Sequence, residues 1–551
     1  ATLWSTLTAI LKNNIHNLQL CSRNNLIKQA IYRLRDANRH VEDAILELIV
    51  VLARHSISVK ELKSLMAALK GENSTWPKYS VKLLAAMRQI INRDQTDASV
   101  FFNFSGRRGG TIALPPIRKW PTQTGFSIVT WFRLDPLVNS GSTKDLSPYL
   151  YCFQNGKGIG YSAYFVESNL MIETITKPKR KGYSHVVNHK FRSRKWYMVG
   201  IVYIYNRFRR SELHCYVNGQ EVSHDDVSIV SCDEPFHKCF IGSCPQALPS
   251  TVFSGQMGSF YTFIEALSND TMAAIYYLGP DYRCQFKHGF ETDVPLSASQ
   301  EKLLYDGRLS TAIMFTYNPK ACDQKLCLES SPTDNATYFV HSPHAIMLEG
   351  VYPVITNSFQ SALRSLGGIQ IIFPLFDQLD YNVYNASKEN DNNDSVPSDD
   401  IGSMLLSLLC DLLRGSTTCQ QQIVQGNGFL VLSRLIEKVS PASLEDSTLD
   451  TLLMLGKYLF SSPGKANLLN QWIDHILLKA SLWIHTSAKV QVKLFSMLAT
   501  EFVAMPEQLS LHMIDFKRII GVPRLMHILK FYYWCKTTES FNAKELSGQI
   551  N

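Results

Sequence analysis

The spacing of apolar residues changes twice along the chain, and no other feature narrows the fold as much. Up to about residue 98, apolar side chains recur every third or fourth position. One stripe is Val41, Ile45, Leu48, Ile49 and Leu52. The next are Leu62, Leu65, Met66 and Leu69, then Leu83, Leu84, Met87, Ile90 and Ile91. This is the period of helices with one buried face each, and such a face must be covered by a neighbour. From about residue 99 the pattern becomes short β-rich runs divided by Gly, Pro and Asn. Residues 195–205 are almost wholly apolar, which predicts a strand covered on both faces. Residues 212–217 alternate, with Leu213, Cys215 and Val217 on one side and Glu212 and His214 on the other. Asn218-Gly219 then predicts a two-residue hairpin turn, because that turn needs positive φ twice. Many short strands over such a length argue for two packed sheets.

Helical spacing returns near residue 355 with an internal repeat. After Gly368, Gly428 and Gly521, apolar residues fall at the first, fourth, seventh and eighth positions: Ile369, Phe429 and Val522; Ile372, Leu432 and Leu525; Leu375, Leu435 and Ile528; Phe376, Ile436 and Leu529. Gly368 and Gly428 are 60 residues apart, Gly428 and Gly521 are 93 apart. Half of the second spacing suits the roughly 40–47 residues of an armadillo or HEAT unit. The first is lengthened by 381–400, which is rich in Asn, Asp and Ser and reads as an acidic, disordered loop.

The expected organisation is therefore α and β multidomain: an antiparallel β-sandwich flanked by armadillo/HEAT-like α-solenoid segments. Its parts are a helical segment over 1–98, the sandwich over 99–300, a connecting segment over 301–350 and a second solenoid over 351–551. Trp131, Trp196 and Tyr216 are expected as core or edge aromatics. The chain opens at Ala1 directly on a helical pattern and ends at Asn551 after a polar stretch, so both ends are expected to be cuts in a longer chain.

Composition mainly excludes. A net charge of +8 over 551 residues is mild and, without a zinc-finger, RRM or helix-turn-helix pattern, does not predict nucleic-acid binding. The longest apolar stretch, 196–205, is half of what a membrane span needs. Twelve Cys are scattered without a CxxC, which suits reduced core thiols. No GxSxG, HExxH or GxxxxGK[ST] occurs. The Gly-rich 156–160 lies between strands, where a β-turn is expected, because a phosphate loop must open a helix. His185 and His189 fall in extended chain, where such spacing spans roughly 13 Å and does not suit a shared metal. His341 and His344 read as a turn. Catalytic, cofactor and metal residues are therefore all expected to be none. Two basic clusters remain, Lys177, Lys179, Arg180 and Lys181, and Arg207, Arg209 and Arg210, both at strand ends. They are candidates for contact with a protein partner or an anionic membrane surface, where each base contributes about 1 kcal/mol.

Four segments, GFSIVTWFRLDP (125–136), KWYMVGIVYIYN (195–206), ELHCYVNGQEV (212–222) and FSGQMGSFYTFIEALS (253–268), resemble laminin G and concanavalin A-like domains. Five others resemble the BEACH-domain family: IALPPIRKWP (112–121), YLYCFQNGKGIGYSAYFV (149–166), LCLESSPTDNATYFVHSPHAIML (326–348), GGIQIIFPLFDQLD (367–380) and WIHTSAKVQVKLFSMLATEF (483–502). That resemblance implies a non-catalytic scaffold, cytoplasmic and peripherally associated with endomembranes or the plasma membrane. It implies roles in vesicle trafficking, membrane-protein targeting and protein kinase A anchoring, with partners drawn from trafficking and signalling complexes. The family's PH-like domain, BEACH domain and WD-repeat propeller have no counterpart in these residues. Concanavalin-like sandwiches often bind sugars or calcium, so the rival expectation is a glycan or lipid head-group site in the sandwich. Asp225 and Asp226 would be the first calcium candidates.

Overall fold

Apolar periodicity places helices at both ends of the chain and strands between. The computed structural model describes residues 1–92, 98–136, 147–177, 182–228, 230, 234–246, 248–331, 344–382, 401–461, 466–503 and 522–533. They divide into two compact units. One is helical, Ala1–Arg93, Asp293–Pro295 and Asn357–Asn551; the other is β-rich, Asp94–Thr292 and Leu296–Thr356.

In the β-rich unit all strand pairs are antiparallel. One side runs β10 (Gln220–Val227), β9 (Ser211–Val217), β8 (Trp196–Ile204), β3 (Phe126–Leu134) and β12 (Ser254–Phe263). The other runs β2 (Ile112–Ala113), β11 (Lys238–Ile241), β4 (Tyr149–Gln154), β5 (Gly160–Val166), β6 (Asn169–Ile175) and β7 (Tyr183–Val186). Beyond β3, β12 pairs along its first half with β1 (Val100–Ser105) and along its second with β13 (Ile313–Asp323). β1 also pairs with β16 (Val351–Ile355). From β13 the ladder continues through β14 (Leu326–Glu329) and β15 (Ala345–Met347) to β2, joining the two sides. The stretch 301–350, expected to be a connection, is thus corrected: it supplies three strands to the sandwich. Phe315 and Tyr317 do face the core at alternate positions, but Asn318, Lys320 and Asp323 break the pattern that would mark the hairpin from sequence.

Between the sheets lie Phe126, Ile128 and Phe132 of β3, Val199, Ile201 and Tyr203 of β8, Leu213, Cys215 and Val217 of β9, and from the other side Tyr151, Phe153, Tyr161 and Phe165. β8 is covered on both faces, as its apolar run predicts. Its outer face lies under the Asn269–Leu278 helix, where Gly200 leaves room for the Met272 sulfur, which would lie 2.8 Å from a Cβ there. Trp131, Trp196 and Tyr216 are all buried, but on this outer layer: Trp131 stacks on Tyr276 at 5.4 Å and Tyr216 Oη donates to Asn269. Asn218 and Gly219 hold φ of 52° and 78° in the β9–β10 turn, as the dipeptide requires.

In the helical unit the two helical stretches share one hydrophobic core, from Leu11 through Met87 to Leu409 and Leu498. The Ser80–Ile91 helix packs on Ile401–Gly415, which packs on Asp446–Ser461, which packs on Ala488–Val503. The last three begin at 401, 446 and 488, spacings of 45 and 42 residues, which suit one armadillo-like unit each. The Gly-led phasing skips one member. The equivalent of the Gly428–Lys438 helix lies at Ile473–Leu477, where the chain has Trp472 instead of Gly. Trp472 is buried in the space that Gly456 leaves, a Cβ there falling 2.5 Å from the indole. Gly521 and all but the first two residues of 381–400, the stretch expected to be an acidic loop, lie outside the described residues.

Arg88 Nε donates to Asp411 Oδ2 at 2.8 Å, and Asn92 donates to the same oxygen at 3.0 Å. Asp411 is only 8% exposed, so it needs these donors. Arg88→Ala is expected to destabilise the helical unit by about 2 kcal/mol, discounted because the Arg side chain is partly exposed. Arg88→Met with Asp411→Leu is expected to recover most of that. Urea unfolding followed by helix ellipticity checks both, and a double variant as weak as the single one would show that packing, not the pair, matters.

Candidate functional site

Strand register puts several turns at one end of the sandwich. Phe126 pairs with Tyr203, Gly160 with Gln154 and Ile175, and Thr174 with Tyr183. Tyr161 and Tyr203 meet across the core with centroids 5.1 Å apart, so these strand ends lie together. The β8–β9 turn with Arg207, Arg209 and Arg210 and the β6–β7 turn with Lys177 therefore sit at the same end. Lys179, Arg180 and Lys181 lie outside the described residues.

Sequence reading missed three further members of this end. Trp120 packs on Phe126 and Tyr161, which places the exposed Arg118 and Lys119 beside them. Lys157 stands on the β4–β5 turn, bound to Glu234 at 2.5 Å. An Arg-Lys-Trp sequence, charged then buried, was the available signal. The carboxylates here are engaged: Asp226 by Arg210 at 3.6 Å, Glu234 by Lys157, and Glu265 by Arg308 at 3.5 Å. Among the described residues, Arg118, Lys119, Lys177, Arg207 and Arg209 meet no carboxylate, so this end carries uncompensated positive charge.

The other candidates resolve into structural roles. Asp225 meets His185 Nδ1 at 3.5 Å, and the neighbouring Tyr183 hydroxyl is the chief influence holding its carboxyl below the usual range. Asp226 faces Arg210, so the two acids look to different partners. No group of three or more His, Cys, Asp or Glu among the described residues could hold a metal ion. His185 Nε2 bonds Ser223 Oγ at 3.0 Å, closing β7 against β10, whereas His189 packs between Phe191 and Tyr197, where burial lowers its pKa. The Gly-rich 156–160 is a turn held by Asn155, whose Oδ1 accepts from the Lys157 and Ile159 amides at 2.9 Å each. His344 Nδ1 accepts from the Glu329 amide, and His341 lies outside the described residues. Away from the basic end, a hollow of about 280 Å³ is lined by Leu134, Asp135, Pro148, Phe165, Glu167 and Phe191.

Two comparisons bear on this arrangement. Residues 337–549 match the family described as Neurobeachin/BDCP, DUF4704 alpha solenoid region, and residues 105–273 match the concanavalin A-like lectin/glucanases superfamily. Over 534 residues the chain is 36% identical to the "Putative neurobeachin homolog" of Caenorhabditis elegans, covering 97% of this chain and 21% of that protein. The chain belongs to the neurobeachin family. It is also 25% identical over 579 residues to the BEACH domain-containing protein lvsE of Dictyostelium discoideum, covering 98% of this chain and 25% of that protein. The chain thus spans about a fifth to a quarter of the length of these relatives. Among solved structures, domains LG4-5 of the mouse laminin alpha1 chain align at 16% identity over 32% of this chain and 44% of that one. Their TM-score of 0.24 is too low to bear on ligand or function.

Proposed function

We propose that the chain is a non-catalytic scaffold or adaptor segment of a BEACH-family protein. It serves vesicle trafficking, membrane-protein targeting and protein kinase A anchoring by binding proteins along its helical unit. It acts in the cytoplasm, peripherally on Golgi or endosomal membranes or the plasma membrane. No described helix is long and apolar enough to cross a bilayer.

The observation that carries this reading is the stack of repeats with 45- and 42-residue spacing that leaves apolar side chains uncovered on neighbouring members. Met454 is 52% exposed on Asp446–Ser461, and Val492 is 68% exposed on Ala488–Val503. Such stacks present long surfaces rather than pockets, and partners bury area along them. Met454→Asp with Val492→Asp is expected to deplete co-purifying trafficking proteins and kinase regulatory subunits at least several-fold, without changing unfolding. Quantitative mass spectrometry of proteins recovered with each form provides the measurement; identical partner sets would defeat the reading.

The rival reading, a ligand site in the sandwich for a glycan or an anionic lipid head group, has one observation in favour of its lipid form. That observation is the set of bases without carboxylate partners at one end of the sandwich.

A further inference from the structure

Phe208 is 93% exposed at the apex of the β8–β9 turn. A lone exposed apolar residue needs no explanation. This one stands between Arg207, Arg209 and Arg210, all exposed, with the Arg207 guanidinium 5.8 Å from its ring centroid. Two more apolar side chains are uncovered at the same end: Tyr205, 40% exposed, and Ile264, 43% exposed. Thr124 Oγ1 donates to the Ile264 carbonyl at 2.7 Å, and a Cβ on the adjoining Gly125 would lie 3.5 Å from the Tyr205 nitrogen, so these loops abut.

The turn is held outward. The Asn206 amide donates to Ser211 Oγ at 3.3 Å, and Asn206 Nδ2 donates to the Arg210 carbonyl and to Glu212 Oε1, each at 3.3 Å. These bonds, one of them to the Arg210 carbonyl, fix the base of the turn and leave Arg207, Phe208 and Arg209 at its exposed tip.

We propose that this end of the sandwich docks on an anionic bilayer. Phe208 enters the interfacial layer while Arg207, Arg209 and Lys177 lie among the lipid phosphates. Charge complementarity selects the occupant class, since these bases meet no carboxylate among the described residues. Shape separates a bilayer from an acidic protein. A convex apex buries little area on a rigid protein without a pocket cut for it, whereas a lipid interface deforms around a protruding ring. Aromatic rings and arginines with apolar stems both suit that layer. The inference deepens the lipid form of the rival reading and is independent of partner binding on the helical unit.

The test is co-sedimentation of the full chain with vesicles of phosphatidylcholine alone or phosphatidylcholine with phosphatidylserine. Binding is expected only with the anionic vesicles. Arg207→Gln with Arg209→Gln should weaken it roughly thirty-fold, at about five-fold per charge. Phe208→Ser should weaken it roughly ten-fold by losing the buried ring. Both variants should unfold at the parent temperature, because neither side chain is packed. In Phe208→Trp, the added indole should shift its emission to the blue with anionic vesicles and not with neutral ones. Unchanged binding by Phe208→Ser would overturn the proposal, as would retention of soluble polyglutamate without vesicle binding, which would mark a protein-docking tip. The Met454 and Val492 variant should bind vesicles like the parent, so failure here and failure of the scaffold reading are separable.

Discussion

Gly160→Ala is expected to lower the stability of the sandwich by about 3 kcal/mol or more, whereas Gly156→Ala, four residues earlier, should change it by less than about 0.5 kcal/mol. At the start of β5, a Cβ on Gly160 would lie 1.9 Å from the Phe153 carbonyl oxygen and 2.9 Å from the Gln154 Cα. Both atoms are backbone of β4, the strand that pairs with Gly160, so neither can yield without opening the β4–β5 ladder. That ladder carries Tyr151, Phe153 and Tyr161, all fully buried between the sheets. A Cβ on Gly156 would meet nothing within 4 Å. Gly158 is intermediate: the space around it is open, but its φ of 78° favours glycine, so Gly158→Ala should cost about 1 kcal/mol. Unfolding in urea, followed by fluorescence of the buried Trp120, Trp131 and Trp196, ranks the three. Equal loss at 156 and 160 would mean that the turn, not the strand approach, is the constraint.

The same five residues show how far the sequence is legible. Their composition and place between apolar runs identify a turn, and Asn155 supplies the side chain that holds it, but nothing distinguishes the three glycines before the partner strand is known. Periodicity reports that a face is buried, not what covers it. Leu83 and Met87 are legible as the buried stripe of a helix. That they share a core with Leu405 and Leu409, more than three hundred residues on, is not. The β8 run is legible as a strand covered twice, and the Asn269–Leu278 helix that supplies the second cover is not. The Gly-led repeat is visible wherever Gly is retained and vanishes at Trp472, where one large side chain replaces the signal and fills the gap left by Gly456. The basic end is legible only as two clusters. Joining these to each other and to Arg118 and Lys119 required the register of β3, β5, β6 and β8.

Asp293→Ala is expected to lower the stability of the helical unit by about 2–4 kcal/mol at neutral pH, and the loss should fade in acid. The carboxylate stands at the N-terminus of the Thr417–Gln425 helix, where partial positive charge collects. Its Oδ1 accepts from the Thr418 amide at 2.8 Å, Thr418 Oγ1 at 2.7 Å and Thr417 Oγ1 at 2.9 Å. Oδ2 accepts from Ser416 Oγ at 2.6 Å and Arg364 Nη2 at 2.8 Å. Burial alone would raise the pKa of this carboxyl, but the hydrogen bonds from Ser416, Thr418 and Thr417 outweigh it and hold the pKa below the usual value. A group whose pKa is depressed by folding contributes stability that is complete above its unfolded pKa, about 3.9. That contribution is lost as pH falls through the folded value. The parent should therefore keep a constant advantage over Asp293→Ala from neutral pH down to about 4–5, then lose it progressively below. Asp293→Asn should fall between them without the pH dependence, since its amide retains one acceptor but turns a donor toward Ser416 and Arg364 or toward Thr418. Urea midpoints across that range decide the matter. A gap between parent and Asp293→Ala that stays flat to the lowest pH would show that the carboxyl is held by shape alone, and that its charge contributes nothing to anchoring the helix.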